Sequence, residues 1–453
     1  MSHSLDVLVI GGGMITADLI LPSLYHLRRQ GVVGGISVCA SRSSTVRTLS
    51  ENSGIREAFP GQEFTAWPGE YTTAMRRLSP RQMVAVAVPD HLHRDIVLAA
   101  LDADQHVLCV KPLALRYADA ALIDTRAKDR GLFVGVEYHK RFDRRSLVAR
   151  GEYRSGKLGE FVMGEARLIE PWRYRTSNFQ TWFSAETTDP FVYVGCHYLD
   201  LVRFITGLLP VEVSVAGVRG RFANGVEGFF WSQGRVRWDN GALLSVANGL
   251  GYPDGAAGSN DQGLVMYCEG EGKTGLIRHE DHDRGVSYSY LAAESPERSP
   301  FQYVSPDFFR LVPWEGPGLR PLGYGFDSIE AIVKAAQSVE ESAACAAPSA
   351  ALQARRARCA EIDETGIIAT PSNTGAVDLA VEAARVSILA DGMPVRIIHG
   401  ESPRVELRRA ETSAKASAER ERNARDTAPE GNARDTAPEG NARDTAQGRL
   451  NER

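Results

Sequence analysis

Along the first 140 positions, apolar residues fall into two alternating textures. Short runs at 6–10, 36–40, 84–88, 107–109 and 132–136 are rich in β-branched residues and lack polar alternation, as strands covered on both faces do. Between them, 14–25, 93–103 and 116–130 carry apolar residues at helical spacing; in the second, Ile96, Val97, Ala100 and Leu101 make one stripe. Pro22 is expected to kink or break the first of these helices. Residues 50–82, with Pro60-Gly61 and Pro68-Gly69, read as a variable connection. Strand–helix–strand repeats of this kind predict a parallel, doubly wound α/β domain over 1–140.

From about residue 145 the texture changes. Strand-like segments near 160–169, 211–218, 229–237, 242–249, 264–268 and 274–279, with a turn at Asp239-Asn240-Gly241, predict a predominantly antiparallel sheet. Helices are expected at 196–205, ended by Gly207, at 327–338 and at 374–390, where Val377, Val381, Ala384 and Ile388 form a stripe ahead of a strand at 395–398. This assigns 141–400 to an α+β domain. Past Ser402 the periodicity vanishes, and NARDTAPEG at 423–431 repeats at 432–440 and starts again at 441. Such a polar repeat cannot bury enough surface to offset its ordering entropy, so 401–453 reads as a low-complexity disordered tail.

Composition narrows the function classes. The 453 residues are 43% hydrophobic and 24% charged, which suits soluble globular domains. A net charge of −5 leaves no basic footprint for nucleic acid. The six cysteines lie far apart without CxxC or Cys/His spacing, so neither a metal site nor a disulfide framework is expected. No secretory leader and no apolar stretch of membrane-spanning length is visible. The expectation is a cytoplasmic protein with reduced, mostly buried thiols.

Chemistry collects where the predicted parallel strands end, the edge at which such sheets bind ligands. Gly11-Gly12-Gly13 follows the first strand and opens a helix at Met14, the context of a dinucleotide fingerprint, although Thr16 replaces the third glycine. Gly11, Gly13 and Met14 are the pyrophosphate-side candidates. The second strand ends in Ser41-Arg42, with no acid for a ribose 2′-hydroxyl; Arg42 either meets a 2′-phosphate, favouring NADP, or is a solvated loop charge. Pro89-Asp90-His91-Leu92-His93 and Lys111-Pro112 end the next strands. Glu137 to Asp143, with His139 and Lys140, is either active-site lining or an interdomain hinge. Trp172 and Arg173 belong to an aromatic and cationic loop suited to sugar rings and hydroxyls, or to domain packing. His197 opens a helix, where a neutral ring is favoured, and Asp200, three residues on, either holds that ring or stabilises the helix terminus.

Several motifs together resemble the glucose–fructose oxidoreductase/inositol dehydrogenase (Gfo/Idh/MocA) family over roughly residues 5–400. PDHLH is similar to the family's P-N-H-x-H, and HVLCVKPLAL to H-V-x-x-E-K-P-L-A. The stretch from Tyr193 through His197 to Asp200 is similar to D-x-G-x-H-x-x-D. The resemblance implies a Rossmann domain followed by an open-faced sheet domain that binds substrate and forms a homo-oligomer. It also implies NAD(P)-dependent oxidation or reduction of a small-molecule sugar, polyol or related carbohydrate. Lys111 would be the active-site lysine and His197 the acid/base, with Pro89 and His93 lining the cofactor site. Two positions depart from the pattern: Val110 stands where a glutamate is usual, and Tyr193 where an aspartate is usual. Those departures leave room for a glycosidase or epimerase that reduces and reoxidises its NAD(P) within one turnover, and a cofactor-sensing regulator is a further alternative on this fold. Retention of both Lys111 and His197 argues against the regulator.

Overall fold

The computed structural model describes residues 4–408, apart from 257, 259, 271, 281–285, 290–300 and 306. Six strands, β1 (Leu5–Ile10), β2 (Val33–Ala40), β3 (Thr65–Pro68), β4 (Met83–Val86), β5 (His106–Val110) and β6 (Val134–Glu137), form one sheet in the order β3-β2-β1-β4-β5-β6. All of its pairings are parallel. β4 and β6 are buried throughout and β1 and β5 nearly so, which is why they read as unbroken apolar runs. The strand order reverses between β1 and β4, so the ligand edge lies beyond Ile10 and Val86.

One face of this sheet packs on helices His93–Asp102, Tyr117–Arg130 and Pro371–Leu389, through Ile96, Val97, Ile123 and Val377. The other packs on Leu21–Arg29 and on a helix from much later in the chain, Tyr324–Ala344, whose Ile329, Ile332, Val333 and Val339 meet Val7, Val9, Ala85 and Leu108. The first sheet thus takes part of its cover from beyond residue 140. His106 ties the same helix to the sheet: its Nδ1 accepts from Phe133 N at 3.0 Å, so its Nε2 donates to Glu340 Oε1 at 3.0 Å. Pro22 marks a break in the first helix: a π turn, Thr16–Ile20, ends there, and the α-helix Leu21–Arg29 starts with Pro22 in its first turn.

The second sheet contains β7 (Glu160–Pro171), β8 (Pro210–Arg221), β9 (Glu227–Trp238), β10 (Leu243–Tyr252), β11 (Asp261–Gly270) and β12 (Lys273–Glu280). Two separate hairpins follow, β13 (Val286–Ser289) with β14 (Phe301–Val304) and β15 (Arg310–Pro313) with β16 (Leu319–Leu322). The last strands, β17 (Val395–Ile398) and β18 (Arg404–Leu407), return to the large sheet, giving the order β12-β11-β7-β10-β9-β8-β17-β18. Its pairings are antiparallel except β7 with β10, as expected of a predominantly antiparallel domain. The inner face packs on the helix Cys196–Thr206, while Met163, Trp231, Tyr267 and Leu276 are exposed.

The expected tail began at 401, but β18 extends the sheet to Leu407; its alternation of Arg404 and Glu406 with Val405 and Leu407 is that of an edge strand, not of a solvated tail. The repeats themselves lie outside the described residues. Helix Ala351–Thr365 was not expected because only Arg355 and Ile362 are buried on it, too few for a stripe.

Between the sheets, Asp378 is fully buried: Thr374 Oγ1 donates to its Oδ2 at 3.1 Å, while its Oδ1 has no partner. Burial is the main cause that pushes its pKa up to about 7; the Asp200 charge adds to this, and Thr374 and Arg141 oppose it. A raised native pKa stabilises the fold at low pH, and that contribution is lost as pH rises from the unfolded value through about 7. Denaturant titrations at pH 5 and pH 8 are expected to show Asp378→Asn gaining on the wild type at the higher pH. The gain should be a few kcal/mol, because each tenfold change in proton affinity between the folded and unfolded chain is worth about 1.4 kcal/mol. An equal stability difference at both values would contradict this assignment.

Candidate active site

The glycine turn leaves β1 with Gly11 at φ +107°, a conformation that L side chains rarely adopt, and a Cβ there would overlap the Ala87 carbonyl beyond β4. Gly11 N donates to Cys39 O at 2.9 Å. Thr16, in place of the third glycine, is buried, and its hydroxyl donates to Gly11 O at 2.7 Å and so fastens the turn. No atom would contact a Cβ on Gly13, so that side of the turn is open, and Met14 beside it is exposed. These features fit a pyrophosphate held on turn and helix amides. Ser41 and Arg42 are exposed, Arg42 with extended backbone capping the helix Ser43–Ser50.

Pro89 opens a short turn after β4, and His93 begins the following helix. The His93 ring is buried beneath the site rather than lining it. Its Nδ1 faces Pro112 O at 2.7 Å and its Nε2 faces Val88 O at 2.9 Å. Burial lowers its pKa, so the neutral ring donates to one of these carbonyls and joins the two loops that end β4 and β5. The second of those loops carries Lys111, followed by a cis bond to Pro112.

Lys111 meets the second domain directly. Its Nζ donates to the Tyr193 carbonyl and lies 4.1 Å from the centroid of the Tyr193 ring. Tyr193 belongs to a π turn, Phe191–Gly195, that runs into the helix Cys196–Thr206 and so places His197. Tyr193 is packed edge-on against Phe179, Trp182 and Phe183, and burial raises its phenol well above the usual value. It is a neutral aromatic seat for the ammonium, not a carboxylate partner.

His197 is 4% exposed, and its Nδ1 is buried without a hydrogen-bond partner. Burial, then Lys111, His139 and Lys140, hold its pKa well below the ordinary histidine value, so the ring is neutral. Its ring lies 4.6 Å from that of His139, whose Nδ1 is 3.0 and 3.1 Å from the two Glu137 carboxylate oxygens. The Phe308 ring lies 5.0 Å from that of His139.

Asp200 does not hold His197. Its two oxygens accept from Arg141 Nε at 2.8 Å and a terminal nitrogen at 2.6 Å, both side chains being buried. Sequence spacing alone could not separate this use from the other. Lys140 is 2% exposed, donates to Gln262 at 2.7 Å, and its charge acts on the His197 ring. Trp172 and Arg173 lie on an exposed turn, where Arg173 pairs with Asp254 at 3.4 Å and Arg175 stacks 3.9 Å from the Trp172 ring.

One charged group near Lys111 was missed, Glu170 at the end of β7. The signal was available: Ala166 and Leu168 face inward, and the same alternation carries Glu170 to that face. Among the described residues no cluster of His, Cys, Asp and Glu could hold a metal ion, and no helix is long and apolar enough to cross a membrane.

A carboxyl-edge glycine turn on a parallel sheet, with a lysine from a strand-end loop beside the turn that leads into the histidine's helix, defines a dinucleotide-binding protein with a second domain beside its cleft. Residues 5–138 match "Oxidoreductase family, NAD-binding Rossmann fold", and residues 147–271 match "GFO/IDH/MocA C-terminal domain". The chain belongs to the Gfo/Idh/MocA family. D-glucoside 3-dehydrogenase of Escherichia coli (strain K12) is 26% identical over 211 residues, which are 47% of this chain and 56% of that protein. The 2,7-anhydro-N-acetylneuraminate hydratase of the same strain is 27% identical over 146 residues, 32% of this chain and 38% of that one. The matches thus span about half or less of those relatives' lengths. In structure, the chain is similar to scyllo-inositol dehydrogenase from Lactobacillus casei, solved with NAD(H) and scyllo-inositol, at a TM-score of 0.58 and 13% identity, covering 87% of this chain and 99% of that one. That likeness is one of fold.

Proposed function

We propose that this protein is an NAD(P)-dependent oxidoreductase that transfers a hydride between nicotinamide and a carbinol carbon of a sugar or polyol. The observation that carries this reading is the convergence of Lys111 and His197, joined through the Tyr193 carbonyl. When bound, the dinucleotide supplies the hydride acceptor or donor. Gly11 and Gly13 would hold its pyrophosphate. His197, whose ring is neutral, takes the hydroxyl proton on oxidation and returns it on reduction. The Lys111 ammonium stabilises the developing alkoxide. His139, braced by Glu137, keeps the His197 ring in place.

The test is absorbance of reduced nicotinamide with a panel of cyclitols, hexoses and methyl glycosides. Net reduction with at least one member is expected. Turnover of a glycoside without accumulation would instead favour a redox-recycling enzyme, a reading supported by the hydratase relative and by the tyrosine and valine that replace two family carboxylates.

The preference between dinucleotides turns on Arg42, exposed among the hydroxyls of Ser41, Ser43 and Ser44 with no neighbouring acid on that loop. Arg42→Ala is expected to weaken NADP about tenfold or more, from the roughly 1.5–3 kcal/mol of a charged hydrogen bond, and to leave NAD nearly unchanged in calorimetry. Equal effects on both would remove the NADP assignment. The exposed apolar residues Met163, Trp231, Tyr267 and Leu276 on the outer sheet face support a homo-oligomer, and the six unpaired cysteines a reducing, cytoplasmic setting.

A further inference from the structure

Asp90 and Thr188 share a contact that the reaction described above does not use. Thr188 Oγ1 donates to Asp90 Oδ2 at 2.7 Å; Thr188 is fully buried and Asp90 is 4% exposed. Asp90 lies in the turn after β4, where its Oδ1 accepts from His91 N at 2.9 Å. Thr188 comes from far along the chain, just before the π turn that carries Tyr193. Their bond closes a circuit of contacts around the site. The His93 ring faces Val88 O and Pro112 O, and so joins the loop after β4 to the loop after β5. Lys111, on the second loop, donates to Tyr193 O, and the chain from Tyr193 back to Thr188 returns the circuit to Asp90. Asp189 stiffens that stretch: its Oδ1 accepts from Val192 N at 3.0 Å, and its backbone oxygen from Tyr193 N at 2.9 Å. Arg385, on the helix Pro371–Leu389, donates to Asp189 Oδ2 at 3.1 Å and to Thr188 O at 3.2 Å.

We infer that Asp90 and Thr188 are positioning residues of the active site: their bond holds the segment carrying Tyr193 and His197 against the loops that end β4 and β5, so that Lys111 and His197 meet one substrate oxygen. Neither residue touches the reacting atoms. The device matters in this chain because valine at 110 and tyrosine at 193 offer the Lys111 ammonium no carboxylate. A backbone carbonyl places the ammonium instead, and a carbonyl is only as fixed as the turn that bears it. Without the Asp90–Thr188 bond, that turn keeps its Arg385 anchor but loses its tie to the loop after β4. The loss falls on the transition state, where a displacement of about 1 Å can cost on the order of a hundredfold.

The inference rests on the oxidoreductase reading, and the two fail in different ways. Thr188→Val keeps the branched shape and removes the donor. With the best substrate of the panel its kcat should fall about 10–100-fold, while KM changes less than about threefold. Dinucleotide affinity by calorimetry should be unaltered. Thr188→Ser restores the hydroxyl and should return kcat to within about threefold of wild type, the margin below which geometry is intact. Asp90→Asn should stay within the same factor of about three, because its amide still pairs with Thr188. Asp90→Ala and Thr188→Val remove the same bond, so the double variant should be no slower than the slower single variant. Losses that multiply, or a Thr188→Val protein that melts earlier but turns over at the wild-type rate, overturn the inference alone. So does a hundredfold loss in Asp90→Asn, which would make the carboxylate itself part of the chemistry. If Thr188→Val does not fold, Thr188→Ala is compared with Thr188→Ser, and equal kcat in the two overturns it. Failure of the wild type to reduce nicotinamide with any panel member overturns the function and the inference together.

Discussion

Replacing His197 with Gln is expected to lower kcat and kcat/KM together by about 10²–10⁴-fold, the usual worth of a positioned acid/base. Lys111→Met should act on the same quantities, because the ammonium matters most when charge develops on the substrate oxygen. Dinucleotide affinity should barely move in either variant, since the pyrophosphate is held at Gly11 and Gly13. Tyr193→Phe completes the set. The Tyr193 ring and carbonyl, not its hydroxyl, meet Lys111, so a loss below about threefold is expected, small beside a general acid/base effect. Near-full turnover by both Lys111→Met and His197→Gln would show that the assignment is wrong, and a hundredfold loss in Tyr193→Phe would put its hydroxyl on the proton path.

Asp200→Ala is expected to act on stability instead. It would leave the Arg141 guanidinium buried without its carboxylate, beside Asn373 Oδ1 at 3.0 Å, a neutral acceptor. Removing one partner of a buried ion pair typically costs about 3–5 kcal/mol. For a chain of this size that is a fall in melting temperature of roughly 5 °C. Below the transition, kcat should stay within about threefold of wild type. A large loss of kcat with an unchanged melting temperature would return Asp200 to the role of holding His197.

The contrast between these residues shows which parts of the site were legible in sequence. Lys111, Pro89 and the glycine turn stand at the ends of parallel strands, and strand ends follow directly from apolar runs and their breaks. His197 was found through its helix start and the surrounding motif. Asp200 sits on that same helix, but its partner, Arg141, is 59 positions away, and spacing along a helix carries no information about such a contact. Glu170 lies on the inward face that the alternation of Ala166 and Leu168 defines, but alternation names the face and not the lysine it approaches. In the fold, the two large sheets could be read, whereas the two small hairpins and the helix Ala351–Thr365 could not. Their strands are four residues long, and the helix buries only two side chains. The π turn before His197 was equally invisible, because one extra residue per turn leaves no trace in periodicity.

The return of helix Tyr324–Ala344 to the first sheet makes the cofactor half of this chain a poor module for transplantation. Cut after its sixth strand, that half would expose the apolar backs of β1, β4 and β5, because Ile329, Ile332, Val333 and Val339 are borrowed from beyond the substrate half. A recognition domain exchanged onto this sheet would have to keep the helix Tyr324–Ala344 with the first six strands.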